Sequence, residues 1–161
     1  MKLLLIIFLF LSCQSMTWAQ TSTENIAASN KEYDLANIAI MKKQDVTAYE
    51  HLKNAATLDP TNSTYSNSAG YMAMHLGEFE TSLDYLNKAL ALDSEKFGDK
   101  HPNVASILNN MGAVHSKMGD SKKAVDFYDR AYIIIKDFLG EKHPQVQTVK
   151  RIRDEEATKL R

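Results

Sequence analysis

Five histidines, one cysteine and 20 acidic side chains are the groups in this 161-residue chain with chemistry to offer. None is spaced as catalysis or metal binding requires. There is no His-Glu-x-x-His run to turn two imidazoles toward one ion, no Gly-rich loop ending in Gly-Lys-Ser/Thr to cradle phosphates, and no Gly-x-Ser-x-Gly elbow. His101 and His143 each precede a proline, a pair that reads as a helix start, because a first helical turn tolerates the missing N–H. His75 and His115 fall on helical stretches with no acid at ligand spacing on the same turn. His51, beside Glu50, reads as exposed on a helix surface. The expectation is a protein without catalytic residues, metal or cofactor. Side chains placed to hold a partner are the alternative, and they depend on the elements that carry them.

Charge limits the partners. Nineteen basic against 20 acidic side chains leaves no basic excess to displace counterions, so nucleic acid is not an expected partner. At the start of the chain, Lys2 precedes an unbroken apolar run from Leu3 to Leu11. That run is too short for a hydrocarbon core, which takes about 20 helical residues, and it has the form of a secretory signal peptide. Two processing routes stay open: cleavage after Ala19, within Thr17-Trp18-Ala19-Gln20, or lipidation at Cys13, which follows the apolar run directly. Membrane contact is expected only on the second route. On the first, the mature chain has no cysteine and must be held together by apolar packing without disulfides. Either way the protein is expected in the periplasm or envelope of a bacterium.

The chain repeats itself. Phe97-Gly98-Asp99-Lys100-His101-Pro102-Asn103-Val104 returns as Leu139-Gly140-Glu141-Lys142-His143-Pro144-Gln145-Val146, a shift of 42 that also carries Gly70 to Gly112, Gly77 to Gly119 and Ala89 to Ala131. A fainter copy lies 34 residues upstream, with Ala36 for Gly70, Leu52 for Leu86, Ala55 for Ala89, and Leu58-Asp59-Pro60 for Leu92-Asp93-Ser94. In that copy Lys43 and Asp45 stand where Gly77 and Phe79 stand in the next.

Each unit reads as two helices. Val104, Ile107, Leu108, Met111, Val114 and Met118 recur at threes and fours. Gly119-Asp120-Ser121 interrupts, and Ala124, Val125, Tyr128, Ala131, Tyr132 and Ile135 resume the stripe. Gly140 then suits a left-handed helix end. Ala69-Gly70, Met111-Gly112, Ala89 and Ala131 fall where paired helices cross, with Phe79, Leu86, Leu108 and Tyr128 filling the space around them. The predicted organisation is 1–19 signal peptide, 20–28 linker, 29–62, 63–100 and 101–142 as three helical units, and 143–161 as a capping helix with an apolar stripe of Val146, Val149, Ile152 and Ala157.

The run His101-Pro102-x-Val104-Ala105-x-x-Leu108-Asn109-Asn110-Met111-Gly112, followed by Gly119, Ala124, Tyr128 and Ala131, resembles tetratricopeptide repeat proteins, and the second and third units resemble the 42-residue variety of kinesin light chains. Ser66 and Ser82 depart from the family's usual large residue and alanine. The resemblance implies an all-α fold, a right-handed superhelix of about three hairpins whose first helices line a concave groove for a protein or peptide segment. Carried over residue by residue, it places Tyr33, Asn37, Ile40 and Met41 on that groove in unit one, Asn67, Tyr71, Met74 and His75 in unit two, and Asn109, Ala113, Ser116 and Lys117 in unit three. Tyr33 stands where some relatives have the first lysine of a carboxylate clamp, so no such clamp is expected. The function that follows is a non-catalytic interaction scaffold. Its alternatives are a self-assembling module that stacks into a homo-oligomer and a lipid-anchored assembly factor.

Overall fold

Glycine and proline decide where the helices stop. The computed structural model describes residues 22–161 with their side chains and residues 2–21 by backbone alone. Its helices are α1 (Lys2–Met41), α2 (Asp45–Leu58), α3 (Ser63–His75), α4 (Phe79–Phe97), α5 (Pro102–Lys117), α6 (Ser121–Leu139) and α7 (Pro144–Thr158). No strand occurs among the described residues, and no helix there is long and apolar enough to cross a membrane. The expected signal segment, its Ala19 junction and Cys13 lie outside the residues described with side chains. Residues 22–28, expected as linker, are instead part of α1. That stretch has neither glycine nor proline to stop a helix, and its Ile26 carbonyl accepts the hydroxyl of the fully buried Ser29 at 2.8 Å.

Three hairpins, α1–α2, α3–α4 and α5–α6, stack in order, with α7 packed against α6. The three tight turns share one hydrogen-bond pattern. Glu78 N–H reaches Ala73 O, Asp120 N–H reaches His115 O and Gln44 N–H reaches Ala39 O, each at 2.9 Å, which closes the left-handed helix end of a Schellman motif. Gly77 and Gly119 supply the positive φ of 82° and 81° in two of these turns. In the first the same conformation falls to Lys43, at φ 56°. Gly140 does not adopt the left-handed helical conformation expected of it: at φ 82°, ψ 151° it is in an extended region open essentially to glycine alone. The two His-Pro pairs do start helices. His101 and His143 are N-caps whose Nδ1 accepts the N–H of Asn103 and of Gln145, each at 3.2 Å, with the proline at the first helical position.

Close helix crossings hold each pair together. A methyl group on Gly112 would come within 2.7 Å of Cε1 of Tyr128, a ring only 4% exposed. One on Gly70 would meet Leu86 Cγ at 2.8 Å and the Ser82 carbonyl oxygen at 3.0 Å. Ser82, which departs from the usual alanine, is fully buried and donates its hydroxyl to Gly70 O at 2.6 Å, tying the second pair at its crossing. Around these contacts Leu86, Val104, Ile107, Leu108 and Val114 form a core continuous from the second pair through Val146 of α7. A separate cluster, with Ala36, Ala48, Leu52 and Ala73, joins the first pair to α3. His51 is not simply exposed: its Nδ1 lies 2.8 Å from Glu32 Oε2 and ties α2 to α1.

Two stability predictions follow from the backbone. Gly112→Ala gains about 1 kcal/mol of helix propensity, yet the buried Tyr128 ring has no room to yield, and overpacking costs up to about 3 kcal/mol. A net loss is expected, read as a lower urea midpoint by circular dichroism; a more stable variant removes the crossing argument. Lys43→Gly relieves a left-handed residue that costs about 1–2 kcal/mol, and its melting temperature is expected to rise.

Candidate functional site

The groove-facing positions named from sequence do not behave alike. On α1, Asn37, Ile40 and Met41 are exposed, Met41 at 84%, while Tyr33 is half-buried with its ring 5.2 Å from Tyr65 of α3. On α3, Tyr71 and His75 are exposed one turn apart and their rings meet at 4.5 Å. Met74 is different. It is 4% exposed and belongs to the core with Leu86 and Ile107, so it offers no area to a ligand. A helical residue beside the seam with the next hairpin is covered by that hairpin, and spacing within α3 does not reveal it. On α5, Ala113 packs half-buried against the core and Lys117 is exposed.

Ser116 is also removed from the groove. It donates its hydroxyl at 2.7 Å to Glu156 of α7, which also accepts Ser121 Oγ and Lys159 Nζ, each at 2.6 Å. Glu156 is 4% exposed. Burial disfavours its ionised form, but the hydrogen bonds from Lys159, Ser121 and Ser116 outweigh that, and its carboxyl is held below the ordinary value. One carboxylate thus fastens α7 to the turn between α5 and α6. The expected stripe contributes as well: Val146 is fully buried, and Val149, Ile152 and Ala157 are half-buried.

The carboxamides are drawn together. Asn110 donates to Asn67 Oδ1 at 2.9 Å, linking α5 to α3. Asn67 borders a recess of about 130 Å³ with Thr64, Asn103, Ser106 and Asp93. Asn103 and Ser106 also border a second recess of about 420 Å³, between α5 and α7, with Asn109, Gln145 and Thr148 along its polar side and Ile135 and Leu139 along its apolar side. Asn109 Oδ1 is buried there without a hydrogen-bond partner. Buried polar atoms are nearly always paired, so this lone acceptor stands out. Asp93 Oδ1 is in the same condition. So is His115 Nδ1, but that ring lies flat on Phe127 of α6, 5.3 Å between centroids, and burial holds its pKa below the ordinary histidine value. A larger recess of about 610 Å³ lies apart from all these, between α4 and α6, lined by Leu90, Arg130, Ile133 and Phe138. It contains none of the expected groove residues.

Asp93 and Glu156 are buried carboxylates that sequence reasoning missed. Asp93 did appear as the partner of Asp59 in the repeat, which was the available signal. Glu156 sits among five other charged side chains of the last helix, and nothing in its spacing separates it from them.

Hairpins of this geometry define a class, a helical-repeat solenoid. The family model for the tetratricopeptide repeat matches residues 60–146, more than half of the chain, and the chain belongs to that family. The match leaves out the first unit, where the repeat is faintest. Among solved structures, the chain is similar to the Arabidopsis OM64 TPR domain, with 18% identity, 81% of this chain and 98% of that one covered, and a TM-score of 0.64. It is similar to the N-terminal domain of stress-induced protein-1 from C. elegans, with 24% identity, coverage of 79% and 95%, and a TM-score of 0.62. It is also similar to the first TPR of Spaghetti (RPAP3) bound to the HSP90 peptide SRMEEVD, with 13% identity, coverage of 83% and 95%, and a TM-score of 0.64. At these identities the likeness is one of fold: an all-α superhelical stack.

Glu156 supplies a pH prediction. Its folded pKa is depressed, so its contribution is complete above the unfolded value near 4.5 and is lost as pH falls through the lower folded value. Glu156→Gln is expected to lower stability by about 1–3 kcal/mol at pH 7. The gap in melting temperature between variant and parent should narrow as pH falls from 4.5 through the lower folded value. A gap of constant size from pH 7 to 3 argues against the ionised staple.

Proposed function

We propose that this protein is a non-catalytic scaffold that holds an extended peptide or protein segment along the first helices of its hairpins. The observation that carries the reading is Asn109: a carboxamide with a buried, unpartnered acceptor, bordering a recess whose other polar side chains are Asn103, Ser106, Gln145 and Thr148. Such a group can accept a backbone N–H and donate to a backbone carbonyl of an extended strand, whatever its side chains. Tyr71 and His75 offer an aromatic pair on the neighbouring helix. The similar Spaghetti domain is bound to a peptide, which supports the reading by analogy.

The second and third units are proposed to be of the long kinesin-light-chain variety. Their second helices, α4 and α6, have 19 residues each, against 14 in α2. The apolar run from Leu3 to Leu11 supports export to a bacterial periplasm or envelope, with cleavage after Ala19 or lipidation at Cys13.

Site-specific photocrosslinking in expressing cells tests the groove. Benzoylphenylalanine in place of Tyr71 is expected to capture a partner, whereas the same residue at Ile133, beside the recess between α4 and α6, is not. Asn109→Ala should cut the Tyr71 adduct severalfold with helical content unchanged. Adducts confined to Ile133 would place the partner on the other face and end this proposal.

A further inference from the structure

Asp93 is left unexplained by a groove that reads only the peptide backbone. Its counterpart in unit one, Asp59, comes just after α2, where its Oδ1 accepts the Thr61 N–H at 3.2 Å and the Thr61 hydroxyl at 2.7 Å. Its counterpart in unit three is Ile135, a core residue. In unit two the helix continues past this register to Phe97, which carries the carboxylate inside: Asp93 is 3% exposed, and its Oδ1 has no partner. A buried carboxylate is tolerated when a cation or several donors meet it, and neither is in place. The one cation bordering its surroundings, Lys96, has its ammonium over the Phe97 ring, 5.0 Å from the centroid.

Space for a cation is present. Asp93 borders the recess of about 130 Å³ and an adjoining one of about 280 Å³ that also contains Asp59. The smaller recess has room for about four waters at roughly 30 Å³ each, or for one ammonium or guanidinium head. Its other polar groups, on Ser63, Thr64, Asn67, Asn103 and Ser106, are neutral hydroxyls and carboxamides that can accept the remaining N–H groups. Asn103 and Ser106 also border the groove recess between α5 and α7, so a strand lying there passes the mouth of this one.

We propose that the recess at Asp93 takes a lysine or arginine side chain of the segment held in the groove, making a cationic anchor a specificity requirement for the partner. The inference rests on the groove reading above. A divalent metal is the poorer fit, since Ca²⁺ takes about 6–8 oxygen ligands, several of them carboxylate, and no group of three or more His, Cys, Asp or Glu is arranged for a metal among the described residues. An ammonium needs three acceptors, and one carboxylate with two neutral oxygens supplies them.

Random heptapeptides displayed on phage, selected on the full-length chain and on its D93N variant, test this. Peptides selected on the parent are expected to share a lysine or arginine at one position. Replacing that residue by methionine in a synthetic copy should weaken binding about tenfold or more. D93N should weaken the unsubstituted peptide comparably, and the two changes together should cost no more than either alone. The methionine substitution is made on the ligand, so it remains decisive should D93N fail to fold. Selected peptides with no basic preference, or full affinity after the methionine replacement, overturn the anchor and leave the groove standing. Failure to select any peptide counts against both.

Discussion

Two helices of a hairpin can approach closely only where one lacks a side chain, and this constraint governs the rest of the protein. At Gly112 the space belongs to the Tyr128 ring, and at Gly70 to Leu86 and the Ser82 backbone. Alanine serves at Ala36, Ala89 and Ala131, all fully buried. Because these positions recur in register, each hairpin adopts a similar geometry and leaves an apolar face for the next to cover.

Polar groups then fix what apolar packing leaves free to slide. The Ser82 hydroxyl on the Gly70 carbonyl, the Asn110 amide on Asn67 and the three donors on Glu156 each join two elements at one point. These contacts are directional, so they select one alignment of neighbouring helices where methyl groups alone accept several. Glu156 has a second effect. It closes the C-terminal end with a helix whose far face carries the exposed pairs Lys150–Asp154 and Arg151–Glu155, each worth only about 0.3–0.5 kcal/mol. That face is solvated.

Against this well-paired background, the unsatisfied acceptors on Asp93 and Asn109 are informative. Both lie at recesses bordered by Asn103 and Ser106 of α5. The buried Ser82 is paired at its helix crossing, whereas these two acceptors are buried beside recesses without a partner.

What was legible in the sequence was whatever follows from local periodicity and small-residue spacing. The shift of 42, the glycine turns and the His-Pro pairs pointed to paired helices in the second and third units, and even the misfit of Lys43 against Gly77 proved to be a positive-φ residue. Side-chain fate at the seams between hairpins was not legible, because it depends on which neighbour arrives from elsewhere in the chain. Met74 and Ser116 share a helix face with true surface residues, yet one is covered by the next hairpin and the other is taken by Glu156, 40 residues away. The buried state of Asp93 likewise required the stack: the same repeat position is a turn acceptor in one unit and an isoleucine in another, and only the packing of α3 and α5 over α4 encloses a carboxylate there.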